Sequence, residues 1–198
     1  MTFTRELARK ALHLVFAAVP LSLTAGVPRL WVITVLTAML TVAALIEGAR
    51  ERVPAFAAMF TRAVGPLLRD AERQRVTGAT WLILVCLAAT WVLPVSGAIA
   101  VTWAAAVGDA SAALVGIPLG GRLIPNAGRG KSVEGSAACF VVTFVGAYLL
   151  AGLSLRLALV LAAAATAAEW PRSAIDDNVR IGAATTAVLI IVNFRLHG

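Results

Sequence analysis

Thiols and ionisable groups are scarce in this chain. Its 198 residues include only two cysteines, Cys86 and Cys139, each inside an apolar segment and without CxxC spacing. That excludes a disulfide framework or a thiolate metal pair, and both read as small core residues. Charged residues make up 14% of the chain against 60% hydrophobic ones, and the mean hydropathy is +0.89. A soluble domain carries about a quarter charged residues, so that class is excluded too. The basic residues are spread over separate short loops rather than one face, which argues against a nucleic-acid partner. With no long linker, repeat or low-complexity tract, residues 1–198 read as a single domain.

What the chain has instead is apolar runs. A spanning helix needs roughly 20 predominantly apolar residues, and seven segments suit that role: about 11–26, 28–46, 79–95, 97–116, 133–152, 156–170 and 178–195. The expected class is an all-α polytopic integral membrane protein with about seven transmembrane helices. The basic start followed by an apolar run imitates a signal peptide. However, His13 lies within that run and six more spans follow, so it reads as a retained first helix. Pro20 predicts a break or tilt there.

The net charge of +7 has a spatial logic. With the N-terminus inside, Arg5, Arg9, Lys10, Arg50, Arg52, Arg62, Arg69, Arg73, Arg75, Arg122, Arg129, Lys131, Arg172 and Arg180 fall on the inner side. Only Arg29, Arg156 and Arg195 fall outside. The positive-inside bias then predicts an N-in/C-out topology. All ten acidic residues fall on the same inner side or at inner helix ends, so any chemistry is expected to face the cytoplasm. The expected location is a prokaryotic cytoplasmic membrane. Oligomeric state is open, and no soluble partner is indicated.

Two inner loops have character of their own. Between Glu47 and Gly78, Phe56, Met59, Phe60, Val64 and Leu67 fall at helical spacing among arginines. That predicts an amphipathic interfacial helix interrupted near Gly65-Pro66, either a plain connector or a gate for a lipid substrate. The stretch from Ile117 to Gly130 holds two prolines and four glycines and is expected to be irregular. It ends at Lys131-Ser132, where backbone N–H groups at a helix start offer an anion site. Gly130-Lys131-Ser132 is not a P-loop, because Pro125 stands where the first glycine of that motif belongs and no strand precedes it.

Ionisable groups in lipid cost several kcal/mol by insertion scales and are usually functional, and several candidates follow. Arg9, Lys10 and His13 share one helical face, either as interface anchors or as contacts for phosphate. Glu47 with Arg50, and Arg69 with Glu72, have ion-pair spacing. Asp109 lies among small residues without an adjacent basic partner, which suits a metal ligand, a base or the partner of a distant arginine. Lys131 would bind phosphate as a point charge, and Glu134 also suits a helix dipole. Glu169, Asp176, Asp177 and Asn178 crowd one helix junction, where hard oxygen ligands suit Mg²⁺ bridged to phosphates. Asp177 or Asn178 would equally serve as the cap of the last helix.

Taken together, Arg9-Lys10-Ala11-Leu12-His13, Glu47-Gly48-Ala49-Arg50, Leu67 to Ala79, Val107 to Gly116, Gly130 to Ala138 and Glu169 to Asn178 resemble, in order, the blocks of the dolichol kinase/phytol kinase family. That family includes CTP-dependent diacylglycerol kinases and is related to CDP-diacylglycerol synthases. The resemblance implies transfer of the γ-phosphoryl group of CTP, or another nucleoside triphosphate, to an isoprenoid alcohol such as phytol, farnesol or a polyprenol. It implies Mg²⁺ as cofactor and a nucleotide site at Gly108, Asp109, Arg129, Gly130, Lys131, Ser132, Glu134 and Gly135, completed by Glu169, Asp177 and Asn178. Catalysis would fall to Asp109, Lys131, Glu134 and Asp177. The metal would fall to Asp109, Glu169, Asp176 and Asp177, and lipid or phosphate contacts to Arg9, Lys10, His13, Glu47, Arg69 and Glu72. Ile181-Gly182 stand where the family usually has a proline soon after its Asp-Asn pair, and the chain is shorter than the eukaryotic dolichol kinases. The competing expectations are a CTP:phosphatidate cytidylyltransferase, a diacylglycerol kinase and, from another class, a proton- or ion-coupled transporter.

Overall fold

The computed structural model describes residues 3–68, 72, 75–125, 127, 130–171, 173 and 175–197. They form α1 (Phe3–Leu14), α2 (Ala18–Thr24), α3 (Arg29–Arg52), α4 (Pro54–Val64), α5 (Gly78–Val92), α6 (Val95–Trp103), α7 (Asp109–Leu119), α8 (Val133–Val145), α9 (Leu155–Glu169) and α10 (Asp177–His197). A π-helical turn, Ala104–Gly108, joins α6 to α7, and another, Gly146–Leu150, extends α8. The all-helical expectation holds for the described residues. Four helical stretches among them are long and apolar enough to cross a bilayer: Glu6–Thr24, Arg29–Arg52, Val95–Leu119 and Val133–Leu150. The remaining expected segments fall on α5, α9 and α10, and Gly78–Val92 is apolar but shorter.

Proline and serine set the helix starts. Pro28 and Pro94 stand just before α3 and α6, and Pro54 opens α4; a fixed φ and a missing N–H suit proline to that position. Ser132 and Ser154 cap α8 and α9, their hydroxyls accepting from the amides of Gly135 and Leu157. The break expected at Pro20 lies upstream of it, as a 3-10 turn over Val15–Ala17. A proline ring collides with the carbonyl four residues earlier, here that of Phe16, so the distortion falls inside that turn. The interfacial helix likewise stops before Gly65-Pro66, and a 3-10 turn, Gly65–Leu67, follows it.

Burial separates the centre of the bundle from its rim. The most apolar window of Val95–Leu119 is 67% buried against other helices, and that of α3 only 11%. The first is therefore the central helix, and α3 turns Leu30, Trp31, Val35, Val42 and Leu45 outward. The core is built largely of alanine, including Ala98, Ala100, Ala104, Ala105, Ala106, Ala147, Ala158 and Ala165, around Leu82, Leu161 and Ile181. Without a hydrophobic drive in lipid, helices associate by close packing of small residues. Helix α7 lies close against α8: a Cβ on Gly135 would stand 2.6 Å from the Ala112 carbonyl oxygen, and one on Gly116 would stand 3.1 Å from Gly135 Cα.

The loop expected from Ile117 to Gly130 begins later than its composition suggests. Helix α7 continues through Pro118 to Leu119, although a proline there leaves the Leu114 carbonyl without its intrahelical donor, and the helix stops one residue later. The chain then folds back on itself. The amide of Val133 donates to the Arg122 carbonyl (2.9 Å), the amide of Ile124 donates to the Lys131 carbonyl (3.0 Å), and Leu123 bridges Ser132. Gly130 makes the reversal with φ +76°, a left-handed conformation natural to glycine.

Candidate functional site

One end of the bundle gathers nearly all the chemistry-bearing residues. Lys10 of α1 pairs with Oδ2 of Asp109 at the start of α7, and both side chains are almost fully buried. A π-turn directly precedes Asp109; such turns often mark functional positions because they locally re-aim the helix. The carboxylate's second oxygen, Oδ1, is buried without a partner. The partner of Asp109 is Lys10, 99 residues away, and not the distant arginine expected.

The second pair is the half-buried Lys131 with the buried Glu169. Lys131 Nζ donates to Glu169 Oε1 at 2.6 Å and lies 3.5 Å from Asp177 Oδ2. Glu169 is 1% exposed, and its Oε2 has no partner. Burial works against the charge on Lys131, but Glu169, Asp177 and Asp109 outweigh it and hold the ammonium above the ordinary lysine range. The i,i+3 spacing of Lys131 and Glu134 does not become a contact. Glu134 instead accepts from the amide of Arg122 at 3.4 Å and closes the folded-back loop. This expected catalytic residue is therefore directed at the loop and not at Lys131.

A third group surrounds the start of α5. Glu47 pairs with Arg50 and accepts from Thr77 N (2.9 Å) and Thr80 Oγ1 (3.1 Å). Glu72 Oε1 accepts from Gly78 N (3.0 Å). Two carboxylates from outside α5 thus satisfy the orphan amides that every helix start leaves. A Cβ on Gly78 would stand 3.0 Å from Glu72 Oε1, 3.4 Å from Asp176 Oδ2 and 3.7 Å from Arg9 Nη1, so three charged groups converge there. Arg9 also pairs with Glu6, and Arg50 lies 4.5 Å from the Phe60 ring centroid. Glu47 and Glu72, expected as lipid or phosphate contacts, serve as caps here.

His13 and Asn178 join the groups. His13 Nδ1 lies 3.1 Å from the Arg9 carbonyl and Nε2 lies 3.4 Å from Asn178 Nδ2. A proton on Nδ1 satisfies both contacts, donating to the carbonyl and leaving Nε2 to accept. The cap of α10 is neither Asp177 nor Asn178 but Asp176, whose Oδ1 accepts from the Asn178 amide at 2.9 Å. Arg180, not singled out as a site residue from the sequence, pairs with Asp177 and donates to the Pro171 carbonyl at 2.6 Å. The i,i+3 spacing of Asp177 and Arg180 was the available signal.

The expected glycines divide. Gly108 and Gly135 lie at helix contacts: a Cβ on Gly108 would stand 2.4 Å from Thr143 Oγ1. Their smallness serves α7–α8 packing. Gly130 makes a turn with nothing near its Cβ position, and Ser132 is a buried helix cap. Arg69 and Arg129 lie outside the described residues.

The metal expectation has a definite geometric form. Among the described residues, no three His, Cys, Asp or Glu groups converge as a ready cation cage. Asp109, Glu169 and Asp177 each balance a lysine or an arginine, and Asp176 caps α10. Mg²⁺, however, is commonly held by one or two carboxylates plus substrate phosphates. The partnerless Asp109 Oδ1 and Glu169 Oε2 fit that donor chemistry.

Buried ion pairs are weak sources of stability, because desolvation offsets their attraction. Lys10–Asp109 is fully buried and Lys131–Glu169 partly so, and each acid keeps a spare oxygen. No family model matches the chain, and neither a curated protein nor a solved structure matches it.

Proposed function

We propose that this chain is a membrane-embedded lipid-alcohol kinase that moves the γ-phosphoryl group of CTP, or another nucleoside triphosphate, to an isoprenoid alcohol. The observation that carries this reading is the pairing of Lys10 with Asp109 and of Lys131 with Glu169, in which both acids are buried and each keeps one unpartnered oxygen. Phosphoryl transfer asks little covalent work of a protein; it asks for alignment and for cations against the phosphate oxygens. The topology that goes with it has seven spans, N-in/C-out, in a prokaryotic cytoplasmic membrane, with the ionic end facing the cytoplasm. The inner-side excess of arginine and lysine supports it.

In this reading Lys131 turns its ammonium to the β- and γ-phosphate oxygens, and Lys10 supplies a second cation as the polyanion enters. Asp109 and Glu169 would hold Mg²⁺ through their spare oxygens, and the ion's chemistry there is charge neutralisation along the phosphate chain. The alcohol oxygen attacks the γ-phosphorus, the bond to the β-phosphate oxygen breaks, and the nucleoside diphosphate leaves. The alcohol proton passes to a carboxylate, for which Asp177, beside Lys131, is placed. Arg180 fixes Asp177, and His13 with Asn178 fixes the junction of α1 and α10.

Product analysis tests the reading. Detergent-purified protein is incubated with Mg²⁺, CTP and phytol, farnesol, a polyprenol or diacylglycerol. CDP formed in step with a phosphorylated isoprenoid alcohol supports the proposal, and diacylglycerol as the sole acceptor makes the chain a diacylglycerol kinase instead. Pyrophosphate released with phosphatidate makes it a cytidylyltransferase. If no nucleotide is consumed while a solute accumulates in proteoliposomes, the kinase reading is replaced by a transporter.

A further inference from the structure

Beside the ionic cluster lies a shallow, open cleft of about 260 Å³ lined by Ile124, Pro125, Ala127, Ala167, Trp170 and Pro171. Its walls are tied to the residues that hold Lys131. Ile124 donates its amide to the Lys131 carbonyl at 3.0 Å. The Pro171 carbonyl accepts from Arg180 at 2.6 Å, and the same guanidinium pairs with Asp177. Trp170 directly follows Glu169, the main partner of Lys131.

The indole is the unusual part. Trp170 is 42% exposed, yet its Nε1 donates to Ser136 Oγ at 3.1 Å. Its one polar atom is therefore anchored while its ring stays open to the cleft. A ring already fixed in place loses little freedom when a ligand lies on it. The cleft is shallow and open on one side, so it suits a flat ring laid on the indole with the rest of the ligand outside it. An isoprenoid tail suits it poorly, because the cleft is short and lies between the last turn of α9 and the loop that follows α7.

We propose that this cleft holds the base of the nucleoside triphosphate, stacked on the Trp170 indole, with the phosphates reaching Lys131. The inference rests on the nucleotide-dependent reading above. Stacking on an aromatic tolerates any base, since each has a π-face, so Trp170 contributes affinity for nucleotides over bare polyphosphate and leaves the choice of base to other contacts.

The test compares CTP with inorganic tripolyphosphate as titrants of the full-length protein in detergent with Mg²⁺, by calorimetry. The wild type is expected to bind CTP more tightly. Trp170→Ala is expected to weaken CTP about tenfold or more, the scale of one lost base stack, while leaving tripolyphosphate unchanged. Trp170→Phe keeps a ring and most of the CTP affinity. CTP is also expected to quench tryptophan fluorescence in the wild type and much less in Trp170→Phe, a readout that stands even if the alanine variant fails to fold. An unchanged CTP-to-tripolyphosphate ratio in Trp170→Ala overturns the cleft assignment and leaves the kinase reading intact. So does a loss of polyprenol binding with CTP unaffected, which gives the cleft to the lipid. Binding of neither titrant by the wild type overturns both.

Discussion

Lys10 on α1 and Asp109 on α7 form an ion pair with side chains only 3% and 2% exposed. The two residues are 99 positions apart, and their contact ties the first helix to the centre of the bundle. Removing one member of such a pair strands a buried charge, at a cost of about 3–5 kcal/mol. Lys10→Met is therefore expected to lower the thermal unfolding temperature in detergent sharply. Lys10→Met with Asp109→Leu should regain most of that stability without regaining phosphoryl transfer. A double variant as unstable as the single would show that the pair is not the source of the loss.

The glycines of the 107–116 and 130–138 blocks offer a second test. Gly135 faces the Ala112 carbonyl and Gly116, so Gly135→Ala overpacks the α7–α8 contact at a cost of about 1–3 kcal/mol. The expected signature is a lower unfolding temperature with the nucleotide KM of the surviving folded protein unchanged. A raised KM at unchanged stability would give Gly135 back its expected place in the nucleotide site.

Arg180 joins Asp177 to the Pro171 carbonyl across the α9–α10 junction. Arg180→Lys keeps the charge but not the fork that reaches both partners. Turnover is expected to fall about 10- to 100-fold, as when supporting residues behind a reactive group are lost, and kcat should fall more than KM rises. Equal turnover in Arg180→Lys would show that Asp177 needs no such support.

Charge balance gives a prediction about the cation. The lysines already neutralise the acids, so a divalent cation alone meets two ammonium groups, and a polyphosphate alone meets the carboxylates. Mg²⁺ and tripolyphosphate together are expected to raise the unfolding temperature by more than the sum of their separate effects, and a chelator should abolish the gain. Additive shifts would mean that the two ligands do not share these residues.

Much of this site is legible in the sequence, and the reasons differ by residue. Arg9, Lys10 and His13 are readable because three polar groups on one face of an apolar helix have few bland explanations. Asp109 stands out for the lack of any neighbouring cation. The partners are not legible, since they come from the folding of distant segments. Local spacing offers Lys131 to Glu134, but the backbone pairing of Arg122–Ile124 with Lys131–Val133 sends Glu134 to the loop and Lys131 to Glu169. Gly108 and Gly135 are ambiguous in principle, because close helix contact and a phosphate cradle both select for a missing side chain. The caps of α5 come from Glu47 and Glu72, 30 and 6 residues upstream of the amides they accept from, and no motif announces such a cap.

The central claim is that Asp109 belongs to phosphoryl-transfer machinery and is not only half of a structural pair. The direct measurement follows label from γ-labelled CTP into a polyprenol, with Mg²⁺, for wild type and Asp109→Asn at matched folded protein. Asparagine keeps the shape and one acceptor oxygen but removes the charge. The account predicts labelled lipid from the wild type and a loss of at least 100-fold in the variant, on the scale of removing a preorganised electrostatic group. Label transferred equally well by Asp109→Asn would contradict it.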